Sequence, residues 1–213
     1  IWAWKQYRIK DFRRYVDRMF CILPFEKDFF RKLNYPVDYV GNPSVDSVAQ
    51  FRANHQSSFE EFTTEMKLNR QPILALLAGS RKHEIKENLP TMLKVAASFP
   101  GYQLVIAGAP GIDPDYYKSY TEGYQVDVLF GQTYSLLTYS RAALVTSGTA
   151  TLETALFRIP QVVCYYVKGG SLVNFVFNHF FHIPYISLVN LIAGKEVVKE
   201  LFGALFSEEI IRR

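Results

Sequence analysis

Five short apolar runs recur along the second part of the chain, and helical stretches separate them. The runs lie at Ile73–Ala78, Leu104–Ala107, Val126–Phe130, Ala142–Thr146 and Gln161–Tyr165. One helical stripe between the first two runs consists of Leu89, Met92, Leu93 and Ala96. Continuous apolar runs are typical of strands buried on both faces, and alternating strands and helices form parallel sheets. The pattern predicts an α/β fold built on a doubly wound parallel sheet.

The first 71 residues follow a different pattern. They predict a strand at Cys21–Pro24, a helix at Glu26–Leu33 and a second strand at Val37–Val40. Residues 44–71 are polar and poor in aliphatic side chains. Such a composition favours a linker with one peripheral helix, so we expect a domain boundary in this segment.

The fourth apolar run leads through three small residues, Ser147, Gly148 and Thr149, into a helix that starts near Ala150. A helix that follows a tight turn leaves free backbone N–H groups and a partial positive charge at its start, which suits a phosphate. Glu153 lies one residue too late to form a capping box with Thr149, and its carboxylate could accept hydrogen bonds from ribose hydroxyls. The alternative is an ordinary junction between a strand and a helix.

A second turn of small residues follows the first apolar run, with Gly79 and Ser80 leading to Arg81. A guanidinium at this place can donate two hydrogen bonds to phosphate oxygens, although a surface arginine is the alternative. The carboxyl ends of parallel strands meet at one sheet edge, so we expect both turns to form one phosphate site. The fingerprints of dinucleotide-binding and P-loop proteins are absent from these turns.

Metal and cofactor chemistry receives little support from the sequence. Asp113-Pro114-Asp115 resembles a metal-binding motif, but an acidic residue before proline is also what a helix cap uses. His179 and His182 have no third ligand nearby, and the two cysteines lie in apolar surroundings without metal or redox spacing. We therefore predict no metal, no cofactor and reduced cysteines in a cytosolic protein.

The excess positive charge of +4 lies within residues 1–20, because the remaining basic and acidic residues cancel. This segment also has aromatic residues at Trp2, Trp4 and Tyr7 and an apolar stripe that includes Phe12. A basic amphipathic helix of this kind favours an anionic membrane surface. The alternative is a domain helix with solvated arginines. Nucleic acid is not favoured, because no recognition helix or stacking motif accompanies the charge.

Two further segments complete the chain. Residues 171–183 are apolar around most of a predicted helix that is too short to span a bilayer, so it is either buried or in contact with lipid. A strand is predicted after Pro184, followed by Asn190, Gly194 and an amphipathic helix. Asn190 would place a third polar group near the same edge of the sheet.

Six motifs, in this order, resemble the C-terminal half of the lipid-A-disaccharide synthase family, whose members are GT-B-type glycosyltransferases. The motifs are W-A-W-K-Q at Trp2–Gln6, L-P-F-E-K at Leu23–Lys27, V-G-N-P at Val40–Pro43, G-S-R at Gly79–Arg81, S-G-T-A-T-L-E at Ser147–Glu153 and N-L-I-A-G at Asn190–Gly194. The chain departs from the family pattern at Asn42, where the family usually has His, and at Val189, where it usually has Pro.

The resemblance implies a Rossmann-like, GT-B-type UDP-sugar domain at 72–213, preceded by a linker at 44–71 and by the end of an N-terminal acceptor-side domain at 1–43. It implies that the family's general base lies before Ile1, so the catalytic residues are unassigned and the isolated chain is expected to be inactive.

The reaction implied is transfer of 2,3-diacylglucosamine from its UDP derivative to 2,3-diacylglucosamine 1-phosphate, with release of UDP. The predicted UDP-sugar ligands are Ser80, Arg81, Ser147, Gly148, Thr149, Ala150, Glu153 and Asn190. Peripheral association with the inner face of the inner membrane is also implied, and a homodimer is left open. Two alternatives are an enzyme like UDP-N-acetylglucosamine 2-epimerase and a non-catalytic module that binds nucleotide sugars or acts as a membrane scaffold.

Overall fold

The fold is built on a parallel sheet of six strands. The structure is a computed structural model that describes residues 5–166, 185–203, 206 and 208–211. Earlier in the chain, β1 (Phe20–Cys21) and β2 (Asp38–Tyr39) form a separate, small parallel sheet. The strands of the main sheet are β3 (Ile73–Leu77), β4 (Gln103–Gly108), β5 (Val126–Phe130), β6 (Ser140–Thr146), β7 (Gln161–Tyr165) and β8 (Lys199–Phe202). Their order is β5-β4-β3-β6-β7-β8, and each neighbouring pair is parallel. The predicted doubly wound sheet is therefore confirmed.

The helices lie between these strands and on both faces of the sheet. They are α1 (Ile9–Tyr15), α2 (Pro24–Lys32), α3 (Pro43–Asn54), α4 (Phe59–Glu65), α5 (Lys82–Ala96), α6 (Pro114–Thr121), α7 (Thr133–Tyr139), α8 (Thr149–Leu156), α9 (Leu188–Ala193) and α10 (Glu208–Ile211). Across the described residues, no helix combines the length and apolar character needed to cross a bilayer.

Strand β3 lies at the centre of the core, and all its residues are buried. Its side chains alternate between two apolar clusters, with Leu74 and Leu76 on one face and Ile73 and Ala75 on the other. The predicted helical stripe of α5 packs on the first face. Burial on both faces explains why β3 appears in the sequence as an unbroken apolar run.

Residues 44–71 are more than the predicted linker with one helix. They form most of α3 and all of α4, and Val48 and Phe62 from these helices are buried on the second face of the sheet. Polar caps define both helix starts, since Asn42 accepts a hydrogen bond from the Ser44 N–H and Ser58 forms a capping box with Glu61. Half of the apolar residues that this segment adds to the core are phenylalanines, which a search for aliphatic periodicity overlooks. The domain boundary itself stays a prediction.

The basic segment at the start packs as a domain helix over the described part. Helix α1 places Ile9 and Phe12 against a small core that includes Phe30 and Tyr35. Trp2 and Trp4 lie outside the described residues. Ile9 and Phe12 of the apolar stripe therefore pack against a protein core, which favours the solvated-arginine interpretation for this helix.

Three sequence predictions near the ends of elements are wrong. Pro24 begins helix α2 rather than ending a strand. The segment after Pro184 contains no strand before Asn190 among the described residues, and Ser187 caps α9 instead. The amphipathic helix predicted after Gly194 is replaced by the sixth strand, β8, because this segment pairs with β7. The predicted helix at 171–183 lies outside the described residues.

Candidate functional site

The two turns singled out in the sequence lie side by side at the point where the strand order reverses. From β3 the chain continues to β4 and β5 on one side, and from β6 it continues to β7 on the other, while β3 and β6 are neighbours. In sheets of this kind the crevice beyond the carboxyl ends of these strands is where ligands bind. The turns Gly79–Arg81 and Ser147–Thr149 form the two sides of that crevice.

The crevice opens into a cavity of about 450 Å³, a size suited to a small organic ligand. The lining includes seven of the eight predicted site residues, namely Ser80, Arg81, Ser147, Gly148, Thr149, Ala150 and Glu153. The end of β4 adds Gly108, Ala109 and Pro110, and the start of α7 adds Thr133. Sequence reasoning missed this second group, because small residues at a strand end and a single threonine at a helix start carry no chemical signal of their own.

The first turn holds its arginine through a glutamate that the sequence analysis did not single out. Glu84 Oε2 accepts hydrogen bonds from the backbone N–H groups of Ser80 (2.8 Å) and Arg81 (3.2 Å), and Glu84 Oε1 pairs with Arg81 Nη1 at 2.9 Å. The Arg81 side chain is 70% exposed, whereas that of Glu84 is 16% exposed. The available signal was spacing, because Glu84 is at the third position of a helix that Arg81 caps.

The position of Glu84 favours the ionised form of its carboxyl group. Burial by itself would raise the pKa of Glu84, but the hydrogen bonds from Ser80 and Arg81 and the Arg81 charge outweigh burial, so its pKa lies below the ordinary value. The turn also depends on Gly79, whose φ is +119°. A Cβ atom there would lie 2.5 Å from the Glu84 Cβ, so the approach of Glu84 requires glycine.

The second turn leaves its helix start open. Gly148, with φ +149° and ψ −160°, is the N-cap of α8 and adopts a conformation that essentially only glycine tolerates. In this described stretch, no side chain caps α8 and no acidic residue lies in its first turn. Thr149 and Ala150 line the cavity, so the N-terminus of α8, with the partial positive charge of its N–H groups, borders the cavity.

Ser147 joins this turn to a distant segment of the chain. Its hydroxyl donates a 2.8 Å hydrogen bond to the Ile186 carbonyl and so connects the turn to the start of α9. The neighbouring Thr146 hydroxyl is buried and has no hydrogen-bond partner among the described residues, and Thr146 also lines the cavity.

Glu153 lies one turn into α8, where its side chain lines the cavity. The Tyr134 hydroxyl donates a 2.8 Å hydrogen bond to Glu153 Oε1. Burial and the adjacent Glu153 carboxylate raise the pKa of Tyr134 to about 12, so this hydroxyl remains a donor at neutral pH.

Asn190 lies apart from the other predicted ligands. Its side chain is buried, donates to the Val198 carbonyl and Glu200 Oε1, and accepts from the Val197 and Val198 N–H groups. These bonds fasten α9 to the segment that leads into β8. A role for Asn190 in UDP binding stays a prediction.

The acidic motif near α6 has the capping role that the sequence favoured. Asp113 accepts a 2.8 Å hydrogen bond from the Asp115 N–H at the start of that helix. Within the described ranges, no group of three His, Cys, Asp or Glu side chains is arranged to hold a metal ion.

Solved structures identify the class of fold. UDP-GlcNAc 2-epimerase from Methanocaldococcus jannaschii, solved in complex with UDP-GlcNAc and UDP, superposes with a TM-score of 0.59 at 11% identity and covers 92% of this chain and 52% of that chain. Another UDP-N-acetylglucosamine 2-epimerase gives a TM-score of 0.55 at 15% identity over 92% of this chain and 47% of that one. The Rossmann-like, GT-B-type architecture is thereby confirmed, and at this identity the likeness concerns the fold alone.

Sequence relatives identify the family. A family model described as lipid-A-disaccharide synthetase matches residues 1–211. The lipid-A-disaccharide synthase of Myxococcus xanthus is 39% identical over 99% of this chain, and that of Idiomarina loihiensis is 35% identical over 100%. The chain belongs to the lipid-A-disaccharide synthase family. It covers 55% and 57% of those two relatives, so it spans about half their length.

Proposed function

We propose that this chain forms the UDP-sugar-binding part of a lipid-A-disaccharide synthase. The whole protein would transfer 2,3-diacylglucosamine from UDP-diacylglucosamine to 2,3-diacylglucosamine 1-phosphate and release UDP. The observation that supports this function is the open N-terminus of α8, which faces the Arg81 turn across one cavity at the strand-order reversal. Membership of the family supports the choice of substrate.

In the proposed complex, the diphosphate of the donor lies at the start of α8. The N–H groups of Thr149 and Ala150 donate to its oxygens, and the Arg81 guanidinium approaches from the first turn. As the glycosidic bond breaks, negative charge grows on the departing β-phosphate. Preorganised N–H groups and an arginine stabilise that charge most strongly where water is excluded. Glu153 would accept hydrogen bonds from the ribose hydroxyls.

The acceptor site and the general base are proposed to lie in the part of the family sequence that this chain does not span. Holding both substrates in one cleft supplies much of the rate of such a transfer. The test is product analysis with UDP-diacylglucosamine and the lipid monosaccharide phosphate. A full-length family protein that carries this chain should form the disaccharide and UDP, whereas residues 1–213 alone should bind UDP and form no product. Disaccharide formation by the isolated chain would contradict this division of roles.

The epimerase alternative has only the shared fold in its favour, and the same assay separates it. An epimerase would convert UDP-GlcNAc without an acceptor, whereas a synthase requires the diacylated donor and the acceptor. A non-catalytic module would bind UDP and leave both sugars unchanged in the full-length protein as well.

A peripheral position on the cytoplasmic face of the inner membrane is part of the proposal. Arg8, Lys10 and Arg14 are exposed on the basic segment, whereas Arg13 donates to the Leu33 carbonyl and Arg18 pairs with Asp38. An anionic surface attracts each nearby cation by about 1 kcal/mol. The net charge of this segment would then give an attraction of about 4 kcal/mol, which is millimolar affinity.

We therefore expect weak, salt-sensitive binding to anionic vesicles. Changing Arg8, Lys10 and Arg14 to Glu should abolish co-sedimentation with vesicles that contain phosphatidylglycerol. Binding that persists at ~0.5 M salt, where charges are screened within a few ångströms, would contradict a purely electrostatic contact.

A further inference from the structure

A tyrosine of α7 holds the glutamate that faces the cavity from α8. The hydrogen bond from the Tyr134 hydroxyl to Glu153 Oε1 is 2.8 Å long and joins residues nineteen positions apart. Thr133, the residue before Tyr134, lines the cavity, so this bond ties together two elements that bound it.

The tyrosine ring is itself held in place. It packs against Phe51 of α3 at 5.4 Å between ring centroids and against Phe157, directly after α8, at 5.3 Å. The two rings contact each other as well, at 5.9 Å. Aromatic contacts of this kind leave a side chain little freedom to rotate, so the hydroxyl is presented in a fixed direction.

The fixed direction of the Tyr134 hydroxyl in turn restricts the orientation of the Glu153 carboxylate. With Oε1 engaged by Tyr134, Glu153 Oε2 has no hydrogen-bond partner among the described residues, and the side chain lines the cavity. An ionised carboxylate accepts hydrogen bonds at both oxygens, and a ribose offers two adjacent hydroxyl donors. A carboxylate already oriented by a neighbour loses less conformational freedom on binding than a free one.

We propose that Tyr134 is a positioning residue that orients the Glu153 carboxylate toward the ribose hydroxyls of a uridine nucleotide and thereby sets a preference for ribose over deoxyribose. The inference rests on the proposed function, since it takes a uridine diphosphate as the ligand. The raised pKa of Tyr134 agrees with this role, because a neutral hydroxyl can donate to a carboxylate throughout the physiological range.

The experiment compares three ligands by calorimetry on the full chain: UDP, 2′-deoxy-UDP and pyrophosphate. The wild type should bind UDP more tightly than 2′-deoxy-UDP. Tyr134→Phe keeps the ring and its packing but removes the donor, so it should reduce the preference for UDP over 2′-deoxy-UDP about 3- to 10-fold, within the range for an ordinary net hydrogen bond. Pyrophosphate affinity should be unchanged, because pyrophosphate has no ribose.

A matched control lies on the same helix. The Tyr139 hydroxyl bonds to His55 Nε2 and the Ser57 carbonyl, and Tyr139 does not line the cavity. Tyr139→Phe also removes one phenolic hydroxyl from α7, yet it should leave the UDP preference unchanged.

A double-mutant cycle tests whether Tyr134 acts through Glu153. In a Glu153→Gln background, Tyr134→Phe should cause no further change in the UDP preference. If Tyr134→Phe does not fold, as judged by its thermal transition, Phe51→Leu provides a second variant. It removes one ring that packs on Tyr134 and should also reduce the preference for UDP over 2′-deoxy-UDP.

The outcomes separate this inference from the function on which it rests. A wild type that binds neither UDP nor pyrophosphate overturns both. A wild type that prefers UDP, with an unchanged preference in Tyr134→Phe or its substitute, overturns only the role of Tyr134. Parallel loss of UDP and pyrophosphate affinity in that variant would assign Tyr134 a structural role, and the inference would again be wrong.

Discussion

The two turns that flank the cavity share a strand–turn–helix pattern but differ at the start of the helix. In the first turn, Glu84 accepts hydrogen bonds from the backbone N–H groups of Ser80 and Arg81, so the protein's own carboxylate occupies the anion-binding position. In the second, no acidic residue lies in the first turn of α8. The same local pattern therefore gives one turn that holds an arginine and one that is open to a ligand's phosphates.

The glutamates of the two helices differ in the same way. Both Glu84 oxygens bond within its own turn, whereas Glu153 uses Oε1 for Tyr134 and lines the cavity with the rest of its side chain. A glutamate near a helix start is thus a structural cap in one case and a candidate ligand contact in the other. Four substitutions test this comparison, and they follow in order of expected effect.

Placing a carboxylate at the open helix start should make the second turn resemble the first. Ala150→Asp puts a negative charge about 4 Å from a bound phosphate, and the repulsion near a protein surface is about 4 kcal/mol. UDP affinity should fall by up to about 1,000-fold. The control is Ala150→Asn, which has nearly the same size and no charge, and calorimetry should show a much smaller loss. Equal losses in both variants would mean that α8 does not bind the diphosphate.

Removing the arginine of the first turn should have the next largest effect. Arg81→Ala deletes a charge-assisted hydrogen bond worth about 1.5–3 kcal/mol, so UDP should bind about 10- to 150-fold more weakly. Arg141→Ala removes an exposed arginine near the start of β6, at the opposite edge of the sheet, and serves as the control. Unchanged UDP affinity in Arg81→Ala would show that the first turn does not contact the ligand.

Glu153→Gln tests the ligand role of the second glutamate. The substitution keeps the size of the side chain and loses the charge and one acceptor, which should cost about 1–2 kcal/mol, or about 5- to 30-fold in UDP affinity. Pyrophosphate should be affected far less. If calorimetry shows the same loss for both ligands, Glu153 is a structural residue like Glu84.

The smallest effect is expected for Glu84→Gln, and it concerns stability at low pH. Because the pKa of Glu84 is lower in the folded protein than in the unfolded chain, its stabilisation is present above the unfolded pKa and is lost as pH falls through the folded pKa. Because the Arg81 partner is largely exposed to solvent, the contribution of this ion pair should be below about 1 kcal/mol.

The difference in thermal midpoint between wild type and Glu84→Gln should therefore be largest at neutral pH. It should shrink as the pH falls from about 5 to about 3, across the range in which a glutamate takes up its proton. A difference that stays constant or grows over that range would be inconsistent with an ionised Glu84 that stabilises the first turn.

Much of the sheet and most of the candidate site could be predicted from the sequence. The runs at Val126–Phe130 and Gln161–Tyr165 agree with β5 and β7 at both ends, and the two turns lie where the apolar pattern stops. The prediction of β3 succeeds because a strand buried on both faces needs a continuous apolar run, and the prediction of the turns succeeds because a tight turn needs glycine. Both requirements are local, so each is written within a few consecutive residues.

The tertiary structure decided what each polar residue does. Glu153 meets a tyrosine nineteen positions away, the Ser147 hydroxyl meets a carbonyl thirty-nine positions away, and Asn190 is buried by contacts with the segment that leads into β8. A hydrogen bond has a short range and a strict direction, so its partner is known only after the strands have been ordered. The sequence by itself thus determined which residues are candidate ligands for a nucleotide sugar, whereas the packing of distant segments determined which partners hold the Asn190 amide, the Ser147 hydroxyl and Glu153 Oε1.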